Sequence, residues 1–196
     1  MIARIRRLLR NLYLDLRYGR FLGGSKRTPY AHLGAKDTMN SDYRALALLL
    51  DPEVRAGDVF VDVGCGRGRV INFVLHQGRA ARVHGLELDP EVAGEVAHRL
   101  RHRDDVTIAV GNCMETLPAD ATVIYAFNPF TRALMEQFKE RLFALYGPSG
   151  RLRNLRFIYY NAVDADVFEG DPRCRVTRPV LPTGFHPAVK VEFPAC

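Results

Sequence analysis

One short turn holds the residues whose types and spacing could do chemistry. Residues 59–69 read Val-Phe-Val-Asp-Val-Gly-Cys-Gly-Arg-Gly-Arg, so a β-branched run leads directly into alternating glycines. Gly64, Gly66 and Gly68 let the backbone approach a ligand closely, and a helix that begins after them offers free N–H groups. Together with Cys65, which lies between them, these glycines are predicted to bind a ligand through the main chain.

Asp62 narrows the choice of ligand. It lies two residues before the first glycine. A carboxylate there would repel a pyrophosphate but attract an ammonium group by about 1 to 4 kcal/mol, depending on the local dielectric. In addition, Arg69 stands where a dinucleotide-binding motif has its third glycine. The turn therefore favours a nucleoside that carries an amino acid over one that carries phosphates.

Later positions could bind the nucleoside itself. Glu87 ends the next predicted strand, at roughly the 20-residue separation from the glycines at which an acid can accept both ribose hydroxyl hydrogens. Asn112 follows the third predicted strand and offers a side-chain amide to an adenine edge, and Cys113 offers a backbone N–H. Asp89 is better explained as the cap of a helix, with Pro90 in its first turn.

The elements that must position these residues alternate between strand and helix. Apolar runs predict strands, and helical periodicity with capping residues predicts helices. The predicted strands are 59–63, 82–88, 106–110, 122–127, 155–160, 173–181 and 189–193. The predicted helices are 41–50 with Ser41 as its N-cap, 69–77 ended by Gly78, 90–101 and 131–146. This alternation is typical of an α/β protein with a doubly wound parallel sheet.

The whole set of motifs resembles that of the class I S-adenosylmethionine-dependent methyltransferases. The matching residues are Asp62-x-Gly64-x-Gly66-x-Gly68, then Glu87, then Asn112, where the family more often has Asp. The resemblance covers roughly residues 41–196. It implies a Rossmann-like, mostly parallel sheet of seven strands with the last strand antiparallel. It also implies S-adenosylmethionine as the cofactor and a methyl transfer that needs no metal.

A second motif, Asn128-Pro129-Phe130, follows the fourth predicted strand and is the candidate catalytic site. It resembles the Asn-Pro-Pro-(Tyr/Phe) motif of methyltransferases that act on amide or amine nitrogens, with Phe130 in place of the second proline. The resemblance implies that the Asn128 side chain and the following backbone carbonyl accept hydrogens from the target nitrogen, while the aromatic ring stacks on a planar substrate. Alternatively, Asn128 is only a turn former at the end of a strand.

The positive charge of the chain is confined to its N-terminal segment. Residues 1–36 contain nine Lys or Arg against a single acid, Asp15, and carry +8; because the whole chain carries +6, the remainder carries −2. Apolar residues recur at helical spacing between the arginines from Ile2 to Leu16, which predicts a basic amphipathic helix. Three uses of this helix stay open: packing on the body or on a second subunit, contact with an anionic membrane surface, and contact with nucleic acid or another acidic partner.

The chain is predicted to divide into an N-terminal segment and one catalytic domain. Residues 1–40 would form the basic helix and a glycine-containing linker or lid, and residues 41–196 would form the cofactor-binding methyltransferase domain. The four cysteines show no metal-ligand spacing, and the longest aliphatic run, Ala45–Leu50, is too short to span a bilayer. We therefore expect a cytoplasmic protein without a metal site, peripheral to a membrane if the helix binds lipid.

The predicted function is methyl transfer from S-adenosylmethionine to an unidentified acceptor, with a nitrogen atom of a small molecule or protein as the favoured kind. A nucleic-acid acceptor is less favoured, because a body with a net charge of −2 offers no track for a phosphate backbone. Two alternatives remain: a non-catalytic S-adenosylmethionine-binding scaffold, and a nicotinamide-dependent oxidoreductase, against which Asp62 and Arg69 argue.

Overall fold

The computed structural model describes residues 2–17, 21–23, 29–30, 32 and 40–194. The glycine-containing linker or lid expected within residues 1–40 lies partly outside these residues. The helices are α1 Ile2–Arg17, α2 Tyr43–Leu50, α3 Arg69–Gln77, α4 Pro90–Leu100, α5 Cys113–Thr116, α6 Arg132–Tyr146 and α7 Asp166–Glu169, with a 3₁₀ turn at Arg151–Asn154. The strands are β1 Val59–Val63, β2 Arg82–Glu87, β3 Val106–Val110, β4 Val123–Phe127, β5 Arg156–Tyr160, β6 Arg175–Thr177 and β7 Ala188–Glu192.

The strands form one sheet of seven in the order β3-β2-β1-β4-β5-β7-β6. The first five strands in this order run parallel to one another, and β7 runs antiparallel between β5 and β6. The predicted α/β fold with a late antiparallel strand is therefore confirmed. In such a sheet the carboxyl ends of β1 and β4 lie side by side where the strand order reverses, which is where ligands of this architecture bind.

Burial explains which strands occupy the centre of the sheet. β1 and β5 are buried at every position, and β4 is buried at all but its last residue. These strands consist mainly of apolar and aromatic residues, as expected for parallel strands covered by helices on both faces. On one face Phe138 and Leu142 of α6 belong to the core, and on the other Leu46 of α2 and Ile71 of α3 do.

Two sequence-based boundaries are wrong. Asp42, not Ser41, is the N-cap of α2, because its side chain accepts a hydrogen bond from Arg44 N at 2.8 Å, whereas the Ser41 hydroxyl lies 2.6 Å from the Tyr125 hydroxyl. β6 spans three residues and not the predicted 173–181, because Pro179 has no N–H to give to a strand ladder. The caps predicted at Gly78 and Asp89 are confirmed.

A buried ion pair anchors α1 to the body. Arg69 Nε and Nη2 donate to the two carboxylate oxygens of Asp15 at 2.9 and 2.5 Å, and both side chains are buried. The Tyr43 hydroxyl and the Leu22 N–H donate to the same carboxylate at 2.9 and 3.1 Å. Because Arg69 begins α3 directly after the glycine turn, this pair connects the N-terminal helix to the predicted ligand site. In the described part of the chain, no helix has the length and apolar character required to cross a bilayer.

We expect Asp15→Asn to lower the free energy of unfolding by about 3–5 kcal/mol, because it leaves the Arg69 charge buried without a counter-ion. Urea denaturation measures the loss, and amide hydrogen exchange of residues 2–17 shows whether α1 opens first. Asp105→Asn is the matched control: it breaks the exposed pair with Arg103 and should cost less than about 1 kcal/mol. Equal stability of the two variants would contradict an anchoring role for Asp15.

Candidate active site

The glycine turn after β1 has the backbone that its composition predicts. Gly64, Gly66 and Gly68 have φ values of 72°, 51° and 80°, a left-handed region that a side chain makes unfavourable. The N–H groups of Gly64 and Cys65 donate to the Leu86 carbonyl at 2.9 and 3.0 Å. The turn is therefore fixed against the end of β2, the strand that carries Glu87.

Glu87 supports the turn and faces the same edge of the sheet. Its Oε2 accepts a hydrogen bond from Gly66 N at 2.8 Å, and its Oε1 accepts one from Asp89 N at 3.0 Å. A carboxylate oxygen has two lone pairs, so each oxygen keeps one for a further donor. The carboxylate is thus positioned by the backbone and can still accept the two hydroxyl groups of a ribose, the role that the sequence predicts.

Asp62 is a buried carboxylate that forms no ion pair with the described residues. Its side chain is 2% exposed, and its Oδ2 has no hydrogen-bond partner among the described residues. Burial, with a smaller contribution from the negative charge of Glu87, raises the pKa of Asp62 well above its ordinary value. A buried polar atom without a partner is costly. The arrangement therefore favours a ligand that brings an ammonium group to this carboxylate.

The other predicted cofactor-binding residues contribute in different ways. A Cβ on Gly68 would lie 2.7 Å from Arg99 Nη2, so this glycine allows close packing of the turn on α4. Burial raises the pKa of the Cys65 thiol, and that of Cys113 to about 12. Both thiols are therefore protonated and poor nucleophiles. We expect these two cysteines to contact the cofactor through their backbone N–H groups.

Asn112 is the N-cap of α5. Its Oδ1 accepts a hydrogen bond from Met114 N at 3.0 Å, and the residue is exposed. This use of the amide oxygen was not anticipated from the sequence, which assigned the side chain to an adenine edge. The oxygen keeps a second lone pair, and Cys113 begins the helix, where backbone N–H groups have no partner within the helix. The predicted adenine contact thus stays compatible with the geometry.

Asn128 and Pro129 meet the glycine turn at the end of β4. Asn128 is buried with a φ of 41°, and its Oδ1 accepts a hydrogen bond from the Tyr159 hydroxyl at 3.0 Å. Burial raises the pKa of Tyr159 to about 12, so the phenol stays a donor. Pro129 Cβ lies 3.4 Å from the place that a Cβ on Gly64 would take. The candidate catalytic motif and the predicted cofactor turn are therefore in direct contact.

Phe130 does not have the position that its predicted role requires. Its ring is buried in the core, 5.4 Å from the ring of Phe138 between centroids, and is not presented for stacking on a substrate. The ring of the residue before Asn128 lies at the surface of a cavity instead. The ring of Phe127 is half-buried and lies 4.9 Å from the ring of Tyr160 and 5.5 Å from that of His186.

Phe127 lines a cavity of about 730 Å³ between α1 and the carboxyl ends of β4 and β5. Tyr160, Phe185 and His186 extend the aromatic wall, and Leu8, Leu9 and Leu12 of α1 line the cavity too. The two arginines of the described lining each face a carboxylate: the Arg7 Nε–Asp42 Oδ2 distance is 3.6 Å, and Arg69 pairs with Asp15. The lining therefore combines aromatic and aliphatic surface with compensated charges.

Sequence reasoning missed four residues of this region: Asp15, Phe127, Tyr159 and Tyr160. The sequence did contain a clue to the importance of Asp15, because it is the only acid in the otherwise basic residues 1–36. The other three lie in apolar strands, and the sequence does not tell which strand residues face a cavity. Among the described residues, no group of three or more His, Cys, Asp or Glu side chains is arranged to hold a metal ion.

Comparisons with known proteins agree with this geometry. Residues 60–150 match the family described as a methyltransferase domain. A methyltransferase from Pyrococcus furiosus has the same fold over 100% of both chains, with a TM-score of 0.64 and 14% identity. An RNA methyltransferase from Salinibacter ruber, in complex with S-adenosyl-L-homocysteine, has a TM-score of 0.57 and 21% identity over 80% of this chain and 92% of its own.

A third similar structure is a putative tRNA (m1A22) methyltransferase from Streptococcus pneumoniae in complex with S-adenosyl-L-methionine. Its TM-score is 0.59 at 13% identity, over 80% of this chain and 73% of its own. Identities this low establish the shared fold and do not transfer a substrate. The comparison with curated protein sequences gives no match.

The sheet order, the glycine turn and the family match define the class of this protein. It is an S-adenosylmethionine-dependent methyltransferase whose residues 60–150 match a methyltransferase domain, and its sheet order is consistent with class I of these enzymes. The site fits the cofactor, because the unpartnered Asp62 carboxylate suits an ammonium group and Glu87 keeps free lone pairs for hydroxyl groups. The expected cofactor class is therefore confirmed.

Asp62 gives ligand binding a predictable pH dependence. Because its pKa is raised in the free protein, Asp62 keeps its proton to higher pH than an ordinary aspartate. A bound ammonium group favours the ionised carboxylate and lowers this pKa, so binding releases a proton. We expect the affinity for S-adenosylhomocysteine to rise with pH up to the raised pKa. Calorimetry in two buffers of different ionisation enthalpy measures the released proton.

Asp62→Asn is the control for this prediction. It should weaken binding by about 1–3 kcal/mol through the lost charged hydrogen bond, and it should abolish the proton release. Proton release that persists in Asp62→Asn would assign the effect to another group.

Proposed function

We propose that this protein transfers a methyl group from S-adenosylmethionine to a nitrogen atom of a small molecule or a protein side chain. The observation that carries the proposal is the Asn128 amide, which the Tyr159 hydroxyl fixes beside the glycine turn. S-adenosylmethionine supplies a methyl group already activated by its sulfonium, so the protein has to bind, align and desolvate.

Asn128 is suited to orient an acceptor nitrogen. Its Oδ1 accepts a hydrogen bond from the Tyr159 hydroxyl, which holds the side-chain amide in one orientation at the end of β4. The positive φ of Asn128 turns the chain sharply at the end of β4, beside Gly64. Holding donor and acceptor in line can contribute roughly 7–11 kcal/mol to the lowering of the barrier. We therefore assign the alignment of the nitrogen to Asn128, with Tyr159 as its positioning residue.

The cofactor side of the proposal follows the same edge of the sheet. We assign the ammonium group of the methionine part to Asp62, the ribose to Glu87, and the adenine to Asn112 and the N–H of Cys113. The backbone of Gly64, Cys65 and Gly66 would pass closest to the cofactor. Gly68 supports this turn indirectly, through its packing on α4.

The cavity beside Phe127 is the proposed binding site for the acceptor. Aromatic rings on one side and leucines on another favour a planar or apolar group. Within the described lining, the charges of Arg7 and Arg69 are paired with Asp42 and Asp15, which reduces their attraction for a phosphate inside the cavity. This supports a small molecule or protein side chain over the RNA acceptors named for two of the similar structures.

Transfer of a tritium-labelled methyl group from S-adenosylmethionine tests the proposed function. The protein is incubated with separate metabolite, protein and RNA fractions of a bacterial extract, and the labelled product is identified by mass spectrometry. N-methylation in the metabolite or protein fraction is expected. Label in RNA alone would contradict the proposed acceptor class, and cofactor binding without transfer to any fraction would favour the scaffold alternative.

Substitutions at Asn128 and Tyr159 test the alignment. With the accepting fraction identified above, Asn128→Ala should lower the single-turnover rate on the order of 100-fold, because misplacement of the acceptor costs about that much. Tyr159→Phe should lower it about tenfold, the equivalent of one lost hydrogen bond. S-adenosylhomocysteine affinity should stay unchanged in both.

Tyr146→Phe is the matched control, since the Tyr146 hydroxyl donates to the Pro118 carbonyl at 2.7 Å, away from the glycine turn. Its single-turnover rate should equal that of the wild type. A Tyr159→Phe variant that is no slower than Tyr146→Phe would remove the positioning role of Tyr159.

Removal of the Phe127 ring tests the acceptor cavity. We expect Phe127→Ala to raise the KM for the acceptor about tenfold, because a ring contact is worth roughly 0.5–1.5 kcal/mol in addition to its buried area. Phe143→Ala removes a ring that packs on Phe193 instead and should leave KM unchanged. If both variants alter KM equally, the cavity is not the acceptor site.

A further inference from the structure

The helix α1 has an unusual orientation on the body. Asn11 and Asp15, four residues apart and so on one face, point inward, where Asn11 Nδ2 donates to Asp42 Oδ2 at 2.9 Å and Asp15 pairs with Arg69. An amphipathic helix of a soluble domain normally buries its apolar stripe instead. Here hydrogen bonds, an ion pair and the packing of Leu14 on the core hold the helix. The apolar stripe borders the cavity beside Phe127 along one edge, through Leu8, Leu9 and Leu12, and otherwise stays exposed.

That outer face is strongly apolar. Leu8, Leu9, Tyr13 and Leu16 are 59–60% exposed. The remaining large apolar residues of the face, which are also exposed, are Ile5, Leu12 and, just after the helix, Phe21. We name these seven residues the leucine face. Isolated exposed leucines need no explanation, but a contiguous set on one helix indicates an interaction surface.

The exposed charges that the structure describes on α1 are all positive. Arg6, Arg10 and Arg17 are exposed on α1, whereas the one acid of the segment is buried against Arg69. The surface that α1 presents is therefore apolar and cationic, which is the composition of helices that lie in the headgroup region of an anionic bilayer.

We propose that the leucine face docks on an anionic lipid surface and holds the enzyme peripherally at the membrane. A second copy of the chain is a poorer occupant, because it would bring two sets of arginines together. A polynucleotide would pair with the arginines but leave the leucines in water. An anionic lipid surface would pair its headgroups with the arginines and bury the leucines in its apolar region. This inference goes beyond the proposed function and does not depend on the acceptor.

Vesicle flotation of the full chain tests the proposal. The protein should float with vesicles of equal phosphatidylglycerol and phosphatidylcholine, at low salt, and bind vesicles of phosphatidylcholine alone at least about tenfold more weakly. Leu9→Ser/Leu16→Ser should lower binding by about tenfold or more. Leu48→Ser, which changes an exposed leucine on α2, should bind as the wild type does.

Two double variants test whether vesicle binding depends on the position of the arginines on α1 or only on the net charge of the protein. Arg10→Gln/Arg17→Gln should weaken binding about fivefold for each arginine removed. Arg55→Gln/Arg101→Gln removes the same charge from exposed positions on the body and should bind as the wild type does. S-adenosylhomocysteine affinity reports that every variant is folded, since none of these residues contacts the glycine turn.

Three results would overturn the proposal. The first is equal binding of the leucine variant and the wild type to anionic vesicles. The second is a stable dimer, seen by light scattering, that Leu9→Ser/Leu16→Ser dissociates, which would assign the face to a second copy. The third is binding to polyuridylic acid that needs the arginines but not the leucines.

Discussion

A buried carboxylate that has no counter-ion in the described part of the chain is the constraint on which this site depends. Asp62 lies in β1, paired in register with Gly85 of β2 and Tyr125 of β4, so it occupies the middle of the sheet beside the point where the strand order reverses. Burial makes its charge expensive unless a cation comes to it. The glycines that follow admit a ligand but add no positive side chain at close range, and Glu87 adds a second acid. The site is therefore built for a ligand that carries its own positive charge, and a pyrophosphate does not meet that requirement.

A chain of polar contacts extends from this site to the N-terminal helix. Asp15 of α1 binds Arg69, Arg69 Nη1 donates to the Ser41 carbonyl at 3.1 Å, and the Ser41 hydroxyl meets the Tyr125 hydroxyl. The contacts join α1, the start of α3, the segment before α2 and the central strand β4. α1 is thus part of the structure around the site, although residues 60–150, which match the methyltransferase family, do not include it. Asn11 and Asp15 on the polar face of α1 attach the helix to the body. The leucine face therefore stays largely exposed and is available for the proposed contact with lipid.

The sequence predicted the structure correctly wherever a local pattern of residues decides the conformation. β1, the glycine turn and the capping Asp89 were predicted because strand burial, positive φ and helix capping each depend on neighbours in the chain. The Asp15–Arg69 pair was not predicted, because its partners are 54 positions apart and only the tertiary fold brings them together. The burial of Phe130 and the position of Phe127 beside the cavity were not predicted for the same reason. Both rings flank Asn128-Pro129, and only the packing of β4 against α6 decides that Phe130 enters the core.

The proposed acceptor site and the proposed cofactor site differ in how much of each lies within the residues that match the methyltransferase family. The proposed cofactor contacts lie between Asp62 and Cys113, within the matched residues 60–150. The cavity beside Phe127 takes much of its lining from α1, from Tyr160 and from the loop around Phe185, all outside that range. A fold can retain its cofactor site while the surrounding elements change the acceptor. The RNA acceptors of similar structures therefore carry little weight for this chain, and the aromatic wall with its compensated charges is the stronger guide to what it methylates.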